Sequence, residues 1–493
     1  MKVVLNLVKK EKKALFVIFG GTGDLAQRKL YPALFNLYKR GYLKKHFAVI
    51  GTARRPWTND YYRDVVKSSI DGMVDSQTKI NEFASHFYYQ SHNVNDVEHY
   101  ETLKALADKL DAKYELAGNR LYYLAMSPRF FGTISKYLKS EGLADTDGYN
   151  RVIIEKPFGR DYQSAKELDD EISKYFSEED VFRIDHYLGK EMIQNIMALR
   201  FSNSILSAIW NNKMISNIQV TLSESLGVEE RGGYYDTAGA LRDMVQNHIL
   251  QIVALLVMDR PASYCAKDVR QKKVETFKAL KVYSPEEVKA NFVRGQYGEG
   301  KDMPAYREEN LIEPDSMTET FVAGKLEVNN KEMAGVPIYI RTGKRMATKA
   351  TRIDIVFKQD KGSIYGEQAL ADNILTINVE PDPGIALSLN TKKIGQEYAT
   401  KKTELKNSLT KEQAARVPEA YESLILNVLQ GNSVNFTHWD ELKYSWKFLD
   451  AIRKAWDEEG LPVDYFPNYS CGTMGPQISD ELLAKDGNYW IFN

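Results

Sequence analysis

The hydrophobic pattern of the first part of the chain alternates between short apolar runs and longer amphipathic stretches. The run at 14–19 is continuous, as in a parallel strand that is covered on both faces. Amphipathic helical stretches, at about 60–76, 97–110 and 133–140, lie between the runs that follow. These further strand-like runs lie at 47–53, 86–89, 120–125 and 151–154. Alternation of this kind is typical of a doubly wound α/β domain, which the pattern predicts for the first third of the chain.

Beyond Lys190 the pattern changes to strand-like segments that no helix regularly separates. The segments lie at 218–224, 318–328, 336–341, 352–357, 373–379 and 404–405. They predict a large, mainly antiparallel sheet. Helical spacing at 240–258, 418–430 and 439–456 adds helices to this second region. At the other end, residues 1–13 hold a short apolar patch followed by lysines, which predicts a solvated extension.

A glycine-containing turn follows the first strand directly. Gly20, Gly23 and Ala26 give the spacing G-x-x-G-x-x-A, a variant of the dinucleotide fingerprint. The tight turn needs glycine, the backbone has to approach a pyrophosphate, and the third position must be small so that helix and strand can pack. Nucleotide binding is predicted, and a purely structural turn is the alternative. The turn residues assigned to the nucleotide are Gly20, Gly21, Thr22, Gly23, Asp24 and Leu25.

The end of the second strand indicates which nucleotide is bound. NAD-selective enzymes usually carry an acid here, which holds the ribose 2′-hydroxyl. Arg54 and Arg55 occupy this position instead, and an arginine fork matches a phosphate group. The pair predicts recognition of the 2′-phosphate of NADP, against the alternative of a solvated basic turn. Use of NAD as well stays open, because an arginine can stack on adenine without the phosphate.

Composition narrows the classes of partner. Apolar residues make up 43% of the chain, and its net charge of -1 argues against nucleic acid or a membrane surface as the main partner. No segment approaches the ~20 apolar residues that span a bilayer. The two cysteines, Cys265 and Cys471, exclude a disulfide framework and predict a cytoplasmic protein. Their spacing is not that of metal ligands, and no metal is expected.

The densest group of chemically active side chains lies at 183–191, with the sequence Arg-Ile-Asp-His-Tyr-Leu-Gly-Lys-Glu. It follows an apolar pair and precedes a helical pattern. The sequence therefore predicts a strand-to-helix junction where side chains and free backbone N–H groups converge on an anion. Lys156 follows the strand at 151–154, and ligands of such sheets lie beyond the carboxyl ends of the strands. It is placed to reach cofactor or substrate, and an ordinary surface lysine is the alternative.

Glu224, Asp243 and His248 are polar residues in otherwise apolar segments. Glu224 ends an apolar strand face, so it either pairs with a basic neighbour or binds ligand hydroxyls. At 3.6 residues per turn His248 is displaced by about 140° from Asp243. Ordinary helical spacing therefore does not make these two side chains converge, and a core histidine is the alternative for His248.

Four cations occur within the nine residues 341–349, between two of the predicted strands. They form either a solvated turn, which is usual for a run of charges, or a second wall for binding an anion. The lysines of this run are Lys344 and Lys349.

Together these motifs resemble those of the glucose-6-phosphate dehydrogenases, especially the bacterial ones, and the resemblance runs essentially end to end. Its most specific segments are 155–159, 183–191, 294–297 and 315–321. The resemblance implies a Rossmann-type domain followed by a large, mainly antiparallel α+β domain that also forms a dimer interface. The division that we predict is an N-terminal extension at 1–13, a dinucleotide-binding domain at 14–185 and a substrate and dimerisation domain at 186–493.

The resemblance also implies a role for each candidate residue. His248 corresponds to the general base and Asp185 to the carboxylate that orients it. Lys156 falls between coenzyme and sugar, while the glycine turn and Arg54 match coenzyme contacts. The residues implied to bind the sugar phosphate are His186, Tyr187, Lys190, Glu224, Asp243, Lys344 and Lys349. Arg55 is less typical of the family: some relatives that use both coenzymes carry a neutral residue beside the arginine, so Arg55 argues against dual use of NADP and NAD.

The implied reaction oxidises the C1 hydroxyl of D-glucose 6-phosphate to 6-phospho-D-glucono-1,5-lactone and transfers hydride to NADP⁺, the first step of the oxidative pentose phosphate pathway. A histidine with an ordinary pKa near 6.5 suits the base, and an acid behind it fixes the tautomer. Two alternatives stay open: a dehydrogenase of another phosphosugar, and a non-catalytic NADP sensor. The presence of both Asp185 and His248 argues against a sensor, which needs no base. A homodimer is expected.

Overall fold

The structure, a computed structural model, describes residues 11–359, 364, 370–395 and 399–493. The first ten residues of the predicted extension at 1–13 lie outside this part of the chain. Two compact units are present. One comprises the chain up to Gly189 together with Pro418–Trp439, and the other comprises Lys190–Val417 with Asp440–Asn493. The division predicted from the sequence ends the first domain at residue 185 and does not assign residues 418–439 to it.

The strands of the described residues are, in chain order, β1 (Ala14–Phe19), β2 (Phe47–Ala53), β3 (Phe87–Ser91), β4 (Arg120–Leu124), β5 (Asn150–Ile154), β6 (Val181–Arg183), β7 (Ile215–Ser223), β8 (Phe292–Gly295), β9 (Tyr297–Gly298), β10 (Phe321–Leu326), β11 (Ile338–Gly343), β12 (Ala350–Phe357), β13 (Ile374–Glu380), β14 (Gly384–Lys392), β15 (Thr400–Ser408) and β16 (Tyr469–Ser470).

The α-helices are α1 (Tyr31–Lys39), α2 (Asn59–Ser69), α3 (Gln77–Ala84), α4 (Val97–Tyr114), α5 (Phe131–Ser140), α6 (Tyr162–Ile172), α7 (Glu191–Ser202), α8 (Ser204–Ile209), α9 (Gly232–Ala240), α10 (Leu250–Val257), α11 (Ala266–Ala279), α12 (Pro285–Asn291), α13 (Lys411–Ala414), α14 (Ala420–Gln430), α15 (Trp439–Glu459) and α16 (Ile478–Ala484). Two π-helical segments, Ala26–Leu30 and Leu241–Ile249, directly precede α1 and α10. No helix in the described part of the chain has the length and apolarity needed to cross a membrane.

The first unit is built on a six-stranded parallel sheet in the order β3-β2-β1-β4-β5-β6. This is the strand order of a dinucleotide-binding fold, with its ligand crevice beyond the carboxyl ends of β1 and β4. Every residue of β1 is buried, as expected for a strand that is covered on both faces. The predicted doubly wound domain is therefore confirmed.

The second unit is built on an eight-stranded sheet in the order β15-β14-β13-β12-β7-β11-β10-β8. All neighbours are antiparallel except β7 and β11, which run parallel. The prediction of a mainly antiparallel sheet with helices is confirmed, with this one parallel pair as the exception. The pair has a consequence for the site, because it places the ends of β7 and β11 side by side.

Several elements of the second unit were not predicted from the sequence, among them the strands β8 and β14 and the helices α11 and α12. In the first unit, the helical stretch expected at 60–76 is in fact two helices, α2 and α3. Gly72 has φ +72° between them, and the Ser76 hydroxyl accepts a hydrogen bond from the Lys79 N–H at the start of α3. A left-handed glycine followed by a serine N-cap ends one helix and begins another.

Candidate active site

The glycine turn of the first unit is held tightly between the strand ends of the sheet. The N–H groups of Gly20 and Gly21 donate to the Thr52 carbonyl, at 2.9 and 3.1 Å. Gly20 has φ +96°, and a Cβ there would lie 2.2 Å from the Ala125 carbonyl oxygen. A side chain would therefore displace the turn. The helical segment begins at Asp24, and the first N–H groups of a helix have no partner within it. Such a turn fits a pyrophosphate group.

We expect Gly20→Ala to raise the Kd for a dinucleotide about tenfold or more, since both the positive φ and the carbonyl contact oppose a side chain. Gly72→Ala is the matched control, because Gly72 also has a positive φ but its Cβ would meet nothing within 4 Å. Titration calorimetry with NADP⁺ measures both variants. Equal affinities for the two variants would contradict the assignment of the turn.

The two arginines after β2 differ in their surroundings. Both side chains are exposed. The Arg55 guanidinium lies 5.4 Å from the centroid of the Trp57 ring, and the Arg55 carbonyl accepts a hydrogen bond of 2.6 Å from the Tyr89 hydroxyl. Within the described residues, Arg54 forms no ion pair. The structure thus favours Arg54 as the cation available to a ligand at the end of β2.

The segment 183–191 begins as an extension of the parallel sheet. The Ile184 N–H donates to the Ile154 carbonyl at 2.9 Å. The Asp185 carboxylate then accepts the N–H of Tyr187 at 3.0 Å, at the start of the 3₁₀ turn His186–Gly189. Asp185 is buried. The predicted strand-to-helix junction is therefore present, and the backbone around the turn fixes the direction of the Asp185 carboxylate.

Arg183 of the same segment has a structural role. Its side chain is buried and pairs with Asp169 and with Glu178, the latter at 2.6 Å. The guanidinium also lies 4.8 Å from the centroid of the Phe158 ring. A buried, doubly paired guanidinium stabilises the junction rather than binding a ligand.

The helix α14 supports this junction from a distant part of the sequence. The Ala420 carbonyl packs against Gly189: a Cβ atom at Gly189 would lie only 2.6 Å from the Ala420 oxygen. The Tyr421 ring is stacked on the His186 ring, with centroids 6.4 Å apart and planes at 7°. Burial raises the pKa of Glu155, whose carboxylate accepts a 2.5 Å hydrogen bond from Tyr123 and a further one from Tyr421. Sequence analysis missed Tyr421, because nothing in the local pattern of 418–430 indicates where the helix packs.

Lys156, directly after Glu155, is half-buried at the carboxyl end of β5. This is where a lysine that reaches a ligand beyond the sheet would lie.

In the second unit, the adjacent ends of β7 and β11 bring two predicted residues together. The Glu224 N–H donates to the Gly343 carbonyl at 3.0 Å, and Lys344 Nζ lies 2.7 Å from Glu224 Oε2. Lys344 is the basic neighbour that Glu224 requires at the end of an apolar strand face. The Lys344 ammonium also lies 4.9 Å from the centroid of the Tyr235 ring.

Tyr235 is the centre of this group. Burial, with Asp243 and Glu224 nearby, raises the pKa of Tyr235 well above its usual range. The hydroxyl of its neighbour Tyr234 donates to Asp243 at 3.5 Å. The structure therefore gathers Glu224, Asp243 and Lys344 around a buried phenol that sequence analysis did not single out.

The segment that carries Asp243 and His248 is a π-helix, Leu241–Ile249. The ordinary helical spacing assumed from the sequence is wrong here. In a π-helix the hydrogen bonds run from residue i to i+5, so residues five apart lie nearly above one another. Asp243 and His248 are five apart and both are buried. Their side chains therefore lie on the same side of the π-helix, whereas the 3.6-residue period of an α-helix predicted different sides.

The cations of 341–349 divide into two kinds. Arg341 is fully buried and donates to Asn493 at 3.2 Å. Arg345 pairs with Glu309 at 3.0 Å. Both arginines therefore have structural roles, whereas the Lys349 side chain is exposed.

Lys190 of the same unit is also predicted to bind the sugar phosphate. It precedes α7, and its Nζ lies 2.5 Å from Glu380 Oε1. The Glu380 carboxylate therefore supplies a counter-charge for the half-buried Lys190 ammonium.

Fold and site define the class of the protein. The first unit has the strand order and glycine turn of a nucleotide-binding domain, and the second carries a carboxylate, an imidazole and an ammonium on rigid elements. A nicotinamide coenzyme and a base are what an alcohol oxidation needs. The chain is therefore a Rossmann-type oxidoreductase.

Comparison with known proteins gives the family. Residues 17–195 match the model described as glucose-6-phosphate dehydrogenase, NAD binding domain, and residues 197–491 match the model of its C-terminal domain. The chain belongs to the glucose-6-phosphate dehydrogenase family.

Its relatives match over nearly the full length. The glucose-6-phosphate 1-dehydrogenase of Streptococcus pneumoniae is 52% identical over 97% of both chains. That of Bacillus subtilis is 48% identical over 98% of this chain and 99% of its own. A solved glucose-6-phosphate dehydrogenase in complex with its substrate glucose-6-phosphate is 36% identical, with a TM-score of 0.90 over 98% of this chain and 99% of the other.

Proposed function

We propose that this chain is a glucose-6-phosphate 1-dehydrogenase. It oxidises the C1 hydroxyl of D-glucose 6-phosphate to the 1,5-lactone, in the first step of the oxidative pentose phosphate pathway. The observation that carries the proposal is the identity of 52% with the Streptococcus pneumoniae enzyme across 97% of both chains. A match of this extent includes the nucleotide-binding unit and the Glu224–Lys344 group alike.

The coenzyme is NADP⁺, which accepts the hydride when bound. The glycine turn Gly20–Leu25 holds its pyrophosphate, and Arg54 binds the 2′-phosphate. In the reaction His248 takes the proton of the C1 hydroxyl, and Asp185 orients the imidazole and stabilises its charged form. A base of this kind contributes about 10²–10⁴ in rate.

The remaining candidate residues bind the sugar phosphate. Glu224 and Asp243 accept hydrogen bonds from sugar hydroxyls, and Lys156 contacts both sugar and coenzyme. The groups that bind the phosphate and the adjoining oxygens are His186, Tyr187, Lys190, Lys344 and Lys349. Anchoring the far end of the substrate in this way holds the reacting carbon in place by remote binding.

Lys344→Met is expected to raise KM for glucose 6-phosphate about 10–100-fold with a smaller change in kcat, because a charge-assisted contact to the substrate is lost. Glu224 loses its counter-charge in the same variant, which adds to the cost. Lys331→Met, an exposed lysine of the same unit, serves as the control. Steady-state kinetics measure KM and kcat of both variants. An unchanged KM in Lys344→Met would show that Lys344 does not bind the substrate.

Absorbance at 340 nm with purified protein, NADP⁺ and a sugar phosphate tests the activity. We expect rapid NADPH formation with glucose 6-phosphate and far slower formation with galactose 6-phosphate or glucosamine 6-phosphate. A preference for one of those sugars would favour a dehydrogenase of another phosphosugar. NADP⁺ binding without turnover of any of them would favour a sensor.

We further propose a homodimer that works in the cytoplasm, with no nucleic-acid or membrane partner. The family resemblance and the net charge of -1 support this. Light scattering coupled to size-exclusion chromatography gives the oligomeric state directly, and a mass of one chain at micromolar concentration would overturn the dimer.

A further inference from the structure

The π-helix Leu241–Ile249 begins at a sharp backbone kink. Gly239 interrupts α9, because its φ of +68° and ψ of 170° lie outside the range of helical backbone. π-Helical hydrogen bonds are rare in proteins: they occur mostly as single-turn bulges within α-helices, and frequently at functional sites. Because α-helical spacing is the commoner one, contacts around this segment must favour the π-helical spacing.

Glu319 supplies a constraint at this kink. It is fully buried, and its Oε1 accepts the N–H of Leu241 at 3.1 Å while its backbone carbonyl accepts the N–H of Ala240 at 2.9 Å. A Cβ at Gly239 would lie 2.4 Å from the same Oε1. Glycine at 239 therefore makes room for the carboxylate, and the carboxylate satisfies an N–H at the start of the helix.

Arg453 holds the carboxylate from the other side. Its Nη2 lies 2.7 Å from Glu319 Oε1, and its side chain is largely buried. A buried acid that lost this partner would be costly, so the two charges keep each other in place. Glu319 also lies in the segment 315–321, which sequence analysis singled out and to which no function has been assigned above.

The opposite end of the helical segment is capped by a charge of the other sign. Arg200, buried in α7, donates to the carbonyls of Leu255 and Met258, each at 2.7 Å. An acid at the first turn and a guanidinium at the last are the signs that the helix dipole favours. The segment from the π-helix to the end of α10 is thus fixed at both ends.

We propose that Glu319 is a positioning residue for His248. Its carboxylate, seated against Gly239 and paired with Arg453, fixes the first turn of the π-helix and with it the five-residue register of Asp243 and His248. If the first turn is released, ordinary helical spacing separates the two side chains by about 140°. The inference rests on the proposed function only for its effect on turnover, since the effect on the helix is independent of the reaction.

Glu319→Ala and Glu319→Gln test the role, because the amide oxygen of glutamine can still accept the Leu241 N–H. We expect Glu319→Ala to lower kcat about 10²-fold and to raise KM for glucose 6-phosphate about tenfold, because Asp243 is displaced together with His248, and we expect Glu319→Gln to recover most of both losses. If Glu319→Ala does not fold, the double variant Glu319→Ala with Arg453→Met replaces it, because no unpaired charge is left buried.

Asp354→Ala is the matched control. Asp354 is another buried carboxylate of the same unit, paired with Arg352 at 2.8 Å in β12. We expect its loss to lower the Tm but to leave kcat per folded molecule unchanged. Equal kcat losses in Asp354→Ala and Glu319→Ala would mean that Glu319 only stabilises the unit, and would overturn the proposal.

Hydrogen exchange followed by mass spectrometry reports on the helix without any turnover. Peptides that cover 241–249 should exchange faster in Glu319→Ala than in the wild type, and at the wild-type rate in Asp354→Ala. Unchanged exchange at 241–249 in Glu319→Ala would contradict the proposal. A wild type without dehydrogenase activity would instead count against the proposed function, and exchange would still decide whether Glu319 fixes the helix.

Discussion

His248→Asn is expected to lower kcat at least about 10²-fold while KM for glucose 6-phosphate changes little. Asparagine cannot take the proton of the C1 hydroxyl, whereas the groups assigned to the phosphate and the other hydroxyls remain in place. The loss should therefore lie in the chemical step. Rapid mixing that follows NADPH formation in a single turnover measures that step directly.

His86→Asn is the control for this variant. His86 is also buried, and its Nδ1 lies 2.7 Å from the Phe47 carbonyl, a contact that an asparagine side chain can partly replace. Its kcat should stay within about threefold of the wild type. Near-normal turnover in His248→Asn would remove His248 from the role of base.

Arg54→Ala is expected to raise KM for NADP⁺ about 10–100-fold and to leave KM for NAD⁺ almost unchanged, because only NADP⁺ carries the 2′-phosphate that the guanidinium would bind. The measured quantity is the ratio of kcat/KM for the two coenzymes. A fall in this ratio by a similar factor identifies Arg54 as the residue that distinguishes them.

Arg55→Ala provides the matched comparison at the neighbouring position. The Arg55 guanidinium already stacks on Trp57, so its loss should affect both coenzymes alike. Equal losses of NADP⁺ and NAD⁺ in Arg54→Ala would show that Arg54 does not bind the 2′-phosphate. If kcat/KM for NADP⁺ falls selectively in Arg55→Ala and not in Arg54→Ala, Arg55 rather than Arg54 binds the 2′-phosphate.

The nucleotide-binding unit was predictable because its signals are local. A continuous apolar run followed by Gly20 and Gly23 indicates a buried strand and a tight turn, whatever the rest of the chain does. The sheet is parallel, as expected for strands that are covered on both faces. The segment 183–191 was likewise placed correctly at a strand-to-helix junction, since its polar residues interrupt two apolar patterns.

Other features depend on contacts between distant parts of the sequence, which one chain does not reveal. The packing of α14 against Gly189, and the stacking of Tyr421 on His186, are of this kind. The partner of Glu224 could be predicted only as some basic residue, and the parallel pairing of β7 with β11 makes it Lys344.

The relation of Asp243 to His248 was predicted wrongly for a different reason. The 3.6-residue period was applied to a segment that is a π-helix. No side-chain pattern within 241–249 distinguishes the two kinds of helix, because its start is determined by Gly239 and by Glu319, which lies far along the chain. A glycine followed by a largely apolar helix was the one visible sign of a kink.

The transfer of the hydrogen at C1 tests the central claim most directly. Wild-type protein is incubated with NADP⁺ and glucose 6-phosphate deuterated at C1, and the reduced coenzyme is analysed by mass spectrometry. We predict one deuterium in each NADPH formed, with 6-phosphogluconolactone or its hydrolysis product in equal amount. Reduced coenzyme without deuterium, or none at all, would contradict the proposal that this chain removes hydride from C1 of glucose 6-phosphate.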